Sequence, residues 1–130
     1  MTGVQTCALP IFDRALAINP NNSDTLHRKG LALSHLSNHA EALVYFEKAL
    51  TIDPNNDTIL ANIGNSMWKT GKAAESLAFF DRALKINPSS TQALFGKGTA
   101  LLDLGRNSEA LGYFDQILEF EPEQIGRAHV

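Results

Sequence analysis

The sequence predicts an all-α fold, an α-solenoid in which antiparallel helix hairpins stack side by side. The first observation behind this prediction is an internal repeat with a period of 34 residues in a chain of 130. The second is that apolar residues within each repeat recur at helical spacing and stop before a proline. The repeat is clearest at its phenylalanines and prolines, which are Phe12, Phe46, Phe80 and Phe114, and Pro20, Pro54, Pro88 and Pro122.

One unit, residues 57–90, shows how the repeat divides into two helices. Asp57 offers a capping oxygen at the start of the first helix, and Gly71 suits the left-handed residue that ends it. The first helix has a face of apolar and small residues at Leu60, Ile63, Gly64 and Met67. The second helix has an apolar face at Leu77, Phe80, Ala83 and Leu84. Each unit is therefore a helix hairpin followed by a short link.

Glycine recurs in phase inside the first helix of each unit, at Gly30, Gly64 and Gly98. A glycine inside a helix costs about 1 kcal/mol relative to alanine, so an isolated helix would not favour it. We interpret these glycines as points where the partner helix crosses closely, opposite the small residues Ala42, Ser76 and Ala110. The repeated phenylalanines are then expected to fill the space between neighbouring hairpins.

Together these positions resemble the tetratricopeptide repeat (TPR), a 34-residue hairpin family with small and large residues at fixed places and a final proline. The resemblance implies a right-handed superhelix whose first helices line a concave groove. It assigns residues 12–22 to the end of a second helix of a partial repeat, and residues 23–56, 57–90 and 91–124 to three full repeats. The departures from the family pattern are Lys29 and Lys97 in place of leucine, and Ser76 and Ile117 in place of alanine.

The two ends of the chain depart from the repeat in phase and composition. We interpret residues 1–11 and 125–130 as translated sequencing-adapter DNA that flanks a short environmental insert, because both peptides match translations of a common adapter. On this interpretation the natural protein is longer and carries further repeats or domains. The apolar run near the start is too short for a signal peptide and lacks a basic flank, so the cytoplasm is the default expectation.

Charge and cysteine content exclude several classes of protein. Lys and Arg number 11 against 14 Asp and Glu, a net charge of −3, which argues against binding to nucleic acid through phosphate neutralisation. The single cysteine, Cys7, excludes a disulfide framework and a multi-thiolate metal site. The apolar runs fall far short of the roughly 20 residues that span a bilayer, so no membrane association is expected.

No arrangement of residues indicates catalysis, a cofactor or a metal. The sequence contains no nucleophile elbow and no Walker-type phosphate loop, and we therefore predict that the chain is not an enzyme. His35 and His39 have the i, i+4 spacing of a metal-binding pair. Because Ser37 and Asn38 occupy the predicted hairpin turn, however, the two imidazoles are expected on different helices.

The TPR resemblance implies where a ligand would bind. From the groove positions of the first helices we take as candidate ligand-binding residues His27, Leu31, Asn62, Asn65, Lys69, Phe95 and Thr99. Asn62 and Asn65 are expected to bond the backbone of an extended peptide, although asparagine is also the family's commonest residue at both positions. Phe95 beside Gly96 suggests a notch for an apolar anchor, or else simple packing on a neighbouring helix.

Some TPR domains grip the carboxylates of chaperone C-termini with a clamp of basic and asparagine side chains. Such a clamp requires Lys or Arg on the first helix of the third repeat, where this chain has Gln92 and Gly96. Only Asn62 matches the clamp. Binding of chaperone tails is therefore not expected, unless a further repeat upstream shifts the frame.

The sequence thus predicts a non-catalytic scaffold that holds a peptide or protein partner in the groove. The alternative is a regulatory or substrate-presenting arm of a larger enzyme, such as a glycosyltransferase, kinase or peptidase, encoded outside this chain. A third possibility is self-association through the uncapped ends of the repeat array.

Overall fold

The computed structural model describes the backbone of residues 3–120 and the side chains of residues 8–120. The expectations for residues 121–130, including Pro122, and for the side chain of Cys7 lie outside these ranges. Within residues 3–120 the chain forms seven α-helices and no strand. They are α1 (Gly3–Ile18), α2 (Ser23–His35), α3 (His39–Ile52), α4 (Asp57–Lys69), α5 (Ala73–Ile86), α6 (Thr91–Asp103) and α7 (Asn107–Phe120).

The helices pair into hairpins α2–α3, α4–α5 and α6–α7, and α1 packs alone against α2. The second helix of each hairpin packs against the first helix of the next, as α3 does on α4 and α5 on α6. The first helices also approach one another directly, α2 to α4 and α4 to α6, whereas α3 and α5 do not approach each other. The first helices therefore line the inner side of a curved stack, and the prediction of an all-α solenoid is confirmed.

A side-chain cap in phase with the repeat begins the first helix of each hairpin. The side chains of Asn22, Asn56 and Ser90 accept hydrogen bonds from backbone N–H groups three residues later, at 3.1 to 3.2 Å. The expectation that Asp57 caps α4 is wrong, because Asn56 takes that position. Asp57 instead accepts a hydrogen bond from the side-chain amide of Asn87 at the end of α5, at 3.1 Å.

The turn inside each hairpin places one residue in the left-handed conformation. These residues are Gly71 and Gly105, with φ of 86° and 77°, and Ser37, with φ of 63°. The prediction that Gly71 ends its helix in this way is confirmed. Ser37 adopts the same conformation with a side chain, which costs on the order of 1 kcal/mol. Chain reversal in the first hairpin therefore carries a strain that the two glycine turns avoid.

The repeated glycines of the first helices lie against the phenylalanine rings of the second helices. A Cβ atom on Gly30 would lie 2.5 Å from the ring of Phe46, and one on Gly64 would lie 2.8 Å from the ring of Phe80. The nearest atoms at each glycine belong to these rings and not to the small residues named above. The partner helix does approach closely at each glycine, but it does so with an aromatic ring, which corrects the expectation that the glycines lie opposite the small residues.

Phe80 joins two hairpins. Its ring lies against Gly64 of its own hairpin and also against Gly96 of the next, where a Cβ atom would approach even closer. The side chain is only 1 % exposed. The expectation that Phe80 fills the space between neighbouring hairpins is therefore confirmed. Phe46 is buried as completely, whereas Phe12 and Phe114, in the first and last helices described, are half-buried.

Two lysines that depart from the family pattern join their own hairpin to the preceding helix through polar contacts. Lys29 of α2 pairs with Asp13 of α1 and donates to the hydroxyl of Tyr45 in α3, at 2.9 Å. Burial by itself lowers the pKa of Lys29, but its hydrogen bonds to Asp13 and Tyr45 outweigh burial and raise the pKa above its usual value. This lysine is therefore charged and joins three helices.

The same arrangement recurs two units later. Lys97 of α6 pairs with Asp81 of α5 at 2.5 Å and donates to the hydroxyl of Tyr113 in α7 at 2.7 Å. At the matching positions of the middle hairpin the chain has Ile63 and Phe79, which carry no polar group. Polar and apolar contacts thus alternate along the stack.

We predict that Gly96→Ala destabilises the protein, although alanine is the better helix former. The added methyl would overlap the ring of Phe80, and such overpacking costs about 1–3 kcal/mol. Gly112→Ala is the matched control, because an added Cβ there would meet no atom of a neighbouring side chain or helix within 4 Å and the change should stabilise α7 by about 0.5–1 kcal/mol. Urea unfolding followed by circular dichroism measures both. A Gly96→Ala protein as stable as the parent would contradict the packing described above.

Candidate ligand groove

A chain of hydrogen bonds crosses the inner face from one first helix to the next. His27 of α2 contacts Asn62 of α4, with 2.6 Å between the Nε2 and Nδ2 atoms. Gln92 of α6 donates from Nε2 to the Oδ1 atom of Asn62 at 2.5 Å. We call these three residues the inner relay. It links all three hairpins on the side where the resemblance implies a groove.

Asn62 is the centre of the inner relay and is only 7 % exposed. Both ends of its side-chain amide are engaged, one by His27 and one by Gln92. A ligand would have to displace one of these partners to bond with Asn62. The structure therefore places Asn62 among the residues that fix the spacing of the inner helices. Asn65, one helical turn further along α4, is half-buried.

A second link joins α4 to α6 near the C-terminal ends of both helices. The indole N–H of Trp68 donates to the carboxylate of Asp103. The ammonium group of Lys69 lies 4.9 Å from the centre of the same indole ring. Trp68 was not among the predicted site residues. The sequence spacing could have predicted this contact. Trp68 and Asp103 are 35 residues apart, and so are His27 and Asn62, which also form a hydrogen bond between successive first helices.

Phe95 is a large apolar side chain of this face, and it is 61 % exposed. Its ring centre lies 5.8 Å from that of Phe114 in α7, so it also packs partly on the neighbouring helix. The hydroxyl of Thr99 donates a hydrogen bond to the backbone carbonyl oxygen of Phe95, with 2.8 Å between the two oxygens. The expected notch at Gly96 is filled, because the ring of Phe80 occupies it. A shallow depression beside Phe95 is lined by Thr91, Gln92, Phe95 and Ile117.

The other candidate residues on α2 lie outside the inner relay. Leu31 is half-buried and packs against the core cluster around Phe46. His35 ends α2 and is exposed, whereas His39 begins α3 and lies 3.3 Å from the hydroxyl of Ser34. The two histidines are on different helices, as expected. In the described part of the chain, no three His, Cys, Asp or Glu side chains are grouped so that they would hold a metal ion.

Burial sets the protonation of the two partly buried histidines. It lowers the pKa of His27, with nearby Asp24 opposing the shift and Arg28 adding to it. The pKa of His39 is also lowered, first by burial and then by Lys69. Both imidazoles are therefore neutral at neutral pH. A neutral His27 has a free lone pair on one ring nitrogen, which the Asn62 amide faces.

Stacked helix hairpins with a shared inner face define the chain as an α-solenoid repeat protein. Two family models, both described as tetratricopeptide repeat, match residues 23–56 and residues 62–125. The chain belongs to the TPR family. No curated protein matches the sequence.

Solved structures with a similar fold include two of MamA and one TPR bound to a peptide. A crystal structure of MamA has a TM-score of 0.84 at 18 % identity, covering 92 % of this chain and 70 % of that one. MamA 41-end from Desulfovibrio magneticus RS-1 has a TM-score of 0.85 at 20 % identity, covering 94 % and 69 %. The first TPR of Spaghetti (RPAP3), bound to the HSP90 peptide SRMEEVD, has a TM-score of 0.74 at 26 % identity, covering 77 % and 79 %.

Among the described residues, no helix combines the length and the apolar character needed to cross a membrane.

We predict that stability falls as the pH drops below 6.5. The folded-state pKa of His27 lies below the unfolded value of 6.5, so the unfolded chain takes up protons first. The free energy of unfolding is therefore highest above pH 6.5 and decreases as the pH falls through the folded pKa. Urea unfolding at about pH 7.5 and about pH 5 measures the difference.

The variant His27→Phe should reduce this pH dependence, because it removes the titrating ring. Phenylalanine is the residue at the equivalent position of the third hairpin, Phe95, so the fold tolerates it there. His35→Gln, at an exposed site, is the control and should leave the pH dependence unchanged. An undiminished pH dependence in His27→Phe would show that His27 does not titrate in this way.

Proposed function

We propose that this TPR domain is a non-catalytic protein-interaction scaffold, and that its inner face binds an extended peptide or a helix of a partner protein. The observation that carries the proposal is Phe95, an aromatic side chain of the inner face that is 61 % exposed and lies beside the polar residues Gln92 and Thr99. An exposed aromatic beside groups that fix orientation is typical of a peptide-binding surface.

The inner relay and the Trp68–Asp103 link support this proposal because they hold the inner helices at a fixed spacing before any ligand arrives. A ligand that meets a rigid surface loses less free energy to ordering, which strengthens binding. Burial of Phe95 against an apolar side chain of the ligand would contribute on the order of 1.5–3 kcal/mol. Asn65, Lys69 and Thr99 are the remaining candidates for polar contacts.

The similar structure of the first TPR of Spaghetti supports a peptide as the ligand, because that protein is bound to the HSP90 peptide SRMEEVD. The present chain has Gln92 and Gly96 where a carboxylate clamp requires cations. We therefore propose that its groove recognises an internal peptide segment through an apolar side chain and does not select a C-terminal carboxylate.

We predict that peptides selected from a random library by the intact chain carry an aromatic or branched aliphatic residue and depend on Phe95. Their affinity, measured by fluorescence polarisation, should fall about tenfold or more in Phe95→Ala, which corresponds to roughly 1.4 kcal/mol. Glu47→Ala, an exposed site on α3, is the control and should bind normally. Selected peptides that bind Phe95→Ala as well as the parent would refute the proposed groove.

The same assay tests the proposal that a C-terminal carboxylate does not raise the affinity of a peptide for this chain. At about pH 7.5, where His27 is neutral, SRMEEVD with a free carboxylate and its C-terminal amide should bind equally weakly to this chain. A strong preference for the free carboxylate would show that a clamp exists here after all.

A further inference from the structure

We propose that the inner relay is a two-state switch, in which protonation of His27 reverses the side-chain amides of Asn62 and Gln92. The reversal would change the group that Gln92 offers to a ligand from a hydrogen-bond acceptor to a donor. The reversal itself is a property of the free protein. Only its consequence for a ligand rests on the function proposed above.

The geometry of the relay requires each residue to match the next. His27 Nε2 and Asn62 Nδ2 are 2.6 Å apart, and Gln92 Nε2 and Asn62 Oδ1 are 2.5 Å apart. At such distances one atom of each pair must donate and the other must accept. Asn62 is buried, so water does not relieve a mismatch, and a mismatch would cost about 1–3 kcal/mol.

With the two amides oriented as in the structure, the neutral state has one consistent tautomer of His27. The amide of Asn62 donates to Nε2 of His27, which therefore carries its proton on Nδ1. The carbonyl of Asn62 is then free to accept from Nε2 of Gln92. The side-chain carbonyl of Gln92 is the atom that this arrangement leaves for a ligand, and it is an acceptor.

The protonated state forces the opposite arrangement. Both ring nitrogens of a charged imidazole are donors, so Nε2 can no longer accept from Asn62. Asn62 must turn its carbonyl to the ring, which places its NH₂ group against Gln92. Gln92 must then turn its own carbonyl inward, and its NH₂ group, a donor, becomes the end that faces a ligand. The oxygen and NH₂ of an amide are similar in size, so both turns leave the packing intact.

The surroundings of His27 set the pH at which the switch operates. The charged groups that act on it are Asp24 and Arg28 of its own helix. From α3 it meets the uncharged ring of Phe46, whose centre lies 5.7 Å away, and from α4 it meets Asn62. Burial favours the neutral imidazole, so the neutral arrangement is the resting state, and reversal takes place below pH 6.5.

The ligand consequence follows from the position of Gln92. Gln92 is exposed and lines the shallow depression beside Phe95, where an apolar anchor would bind. In the resting state it offers an acceptor, which suits a backbone or side-chain N–H of the ligand. After reversal it offers a donor, which suits a carboxylate. Acidic peptides should therefore gain affinity relative to neutral ones as the pH falls.

The experiment is a pH titration of the intact chain by nitrogen-15 NMR. We expect the ring of His27 to carry its proton on Nδ1 at neutral pH. We expect the side-chain amides of Asn62 and Gln92 to shift with the midpoint of His27, below pH 6.5, and that of half-buried Asn65 to stay unchanged. Two results would overturn the proposal. One is a His27 ring that carries its proton on Nε2 at neutral pH, and the other is a Gln92 side-chain amide signal that does not shift with the midpoint of His27.

Two variants separate the switch from a general effect of pH. In His27→Phe the Gln92 amide should not titrate. In Asn62→Leu the ring of His27 should still titrate, while the Gln92 amide no longer responds, because the connection between them is broken. A Gln92 response that persists in either variant would contradict the relay. If the NMR results agree but acidic peptides gain no affinity at low pH, the switch stands and its effect on the groove is refuted.

Discussion

The packing of Phe80 between two glycines is the contact on which the stack of hairpins depends. A hairpin of two helices cannot bury its outer apolar flank, so each needs a neighbour that fits closely. The ring of Phe80 achieves this fit because Gly64 and Gly96 have no side chain at the positions that it occupies. The glycines weaken their helices, and the burial of the ring offsets that loss. The sites of the inner face exist only because this contact sets the spacing between α4 and α6.

The repeat period was enough to predict the helices, their pairing and the burial of Phe46 and Phe80, because each is fixed by the pattern of residues within one unit. It was not enough to predict what the glycines accommodate, since a missing side chain does not indicate which neighbour fills the space. The use of Asn62 by His27 and Gln92 was also missed. These partners are 35 and 30 residues away and meet only after the hairpins have stacked. Helix α1 begins at Gly3 and continues through Pro10, which local propensity does not favour.

The helices of the stack are held together by polar contacts and by apolar packing. Lys29 and Lys97 each form an ion pair with the preceding helix and a hydrogen bond to a tyrosine hydroxyl of their own hairpin, whereas the middle hairpin has the apolar Ile63 and Phe79 at these positions. The inner relay adds a polar connection on the groove side. A surface held in this way presents Phe95 in a defined place, which is what recognition of a peptide requires. The same relay makes the groove responsive to protonation, because its hydrogen bonds have a direction that one histidine controls.

The most direct test of this account is the stability of Phe80→Ala in urea. The loss of a ring that is 1 % exposed and packed on two hairpins should lower the free energy of unfolding by about 3–5 kcal/mol. Leu111→Ala, at a site 60 % exposed on α7, should change it by no more than about 0.5 kcal/mol. A loss of less than about 1 kcal/mol in Phe80→Ala would show that the stack does not depend on this contact.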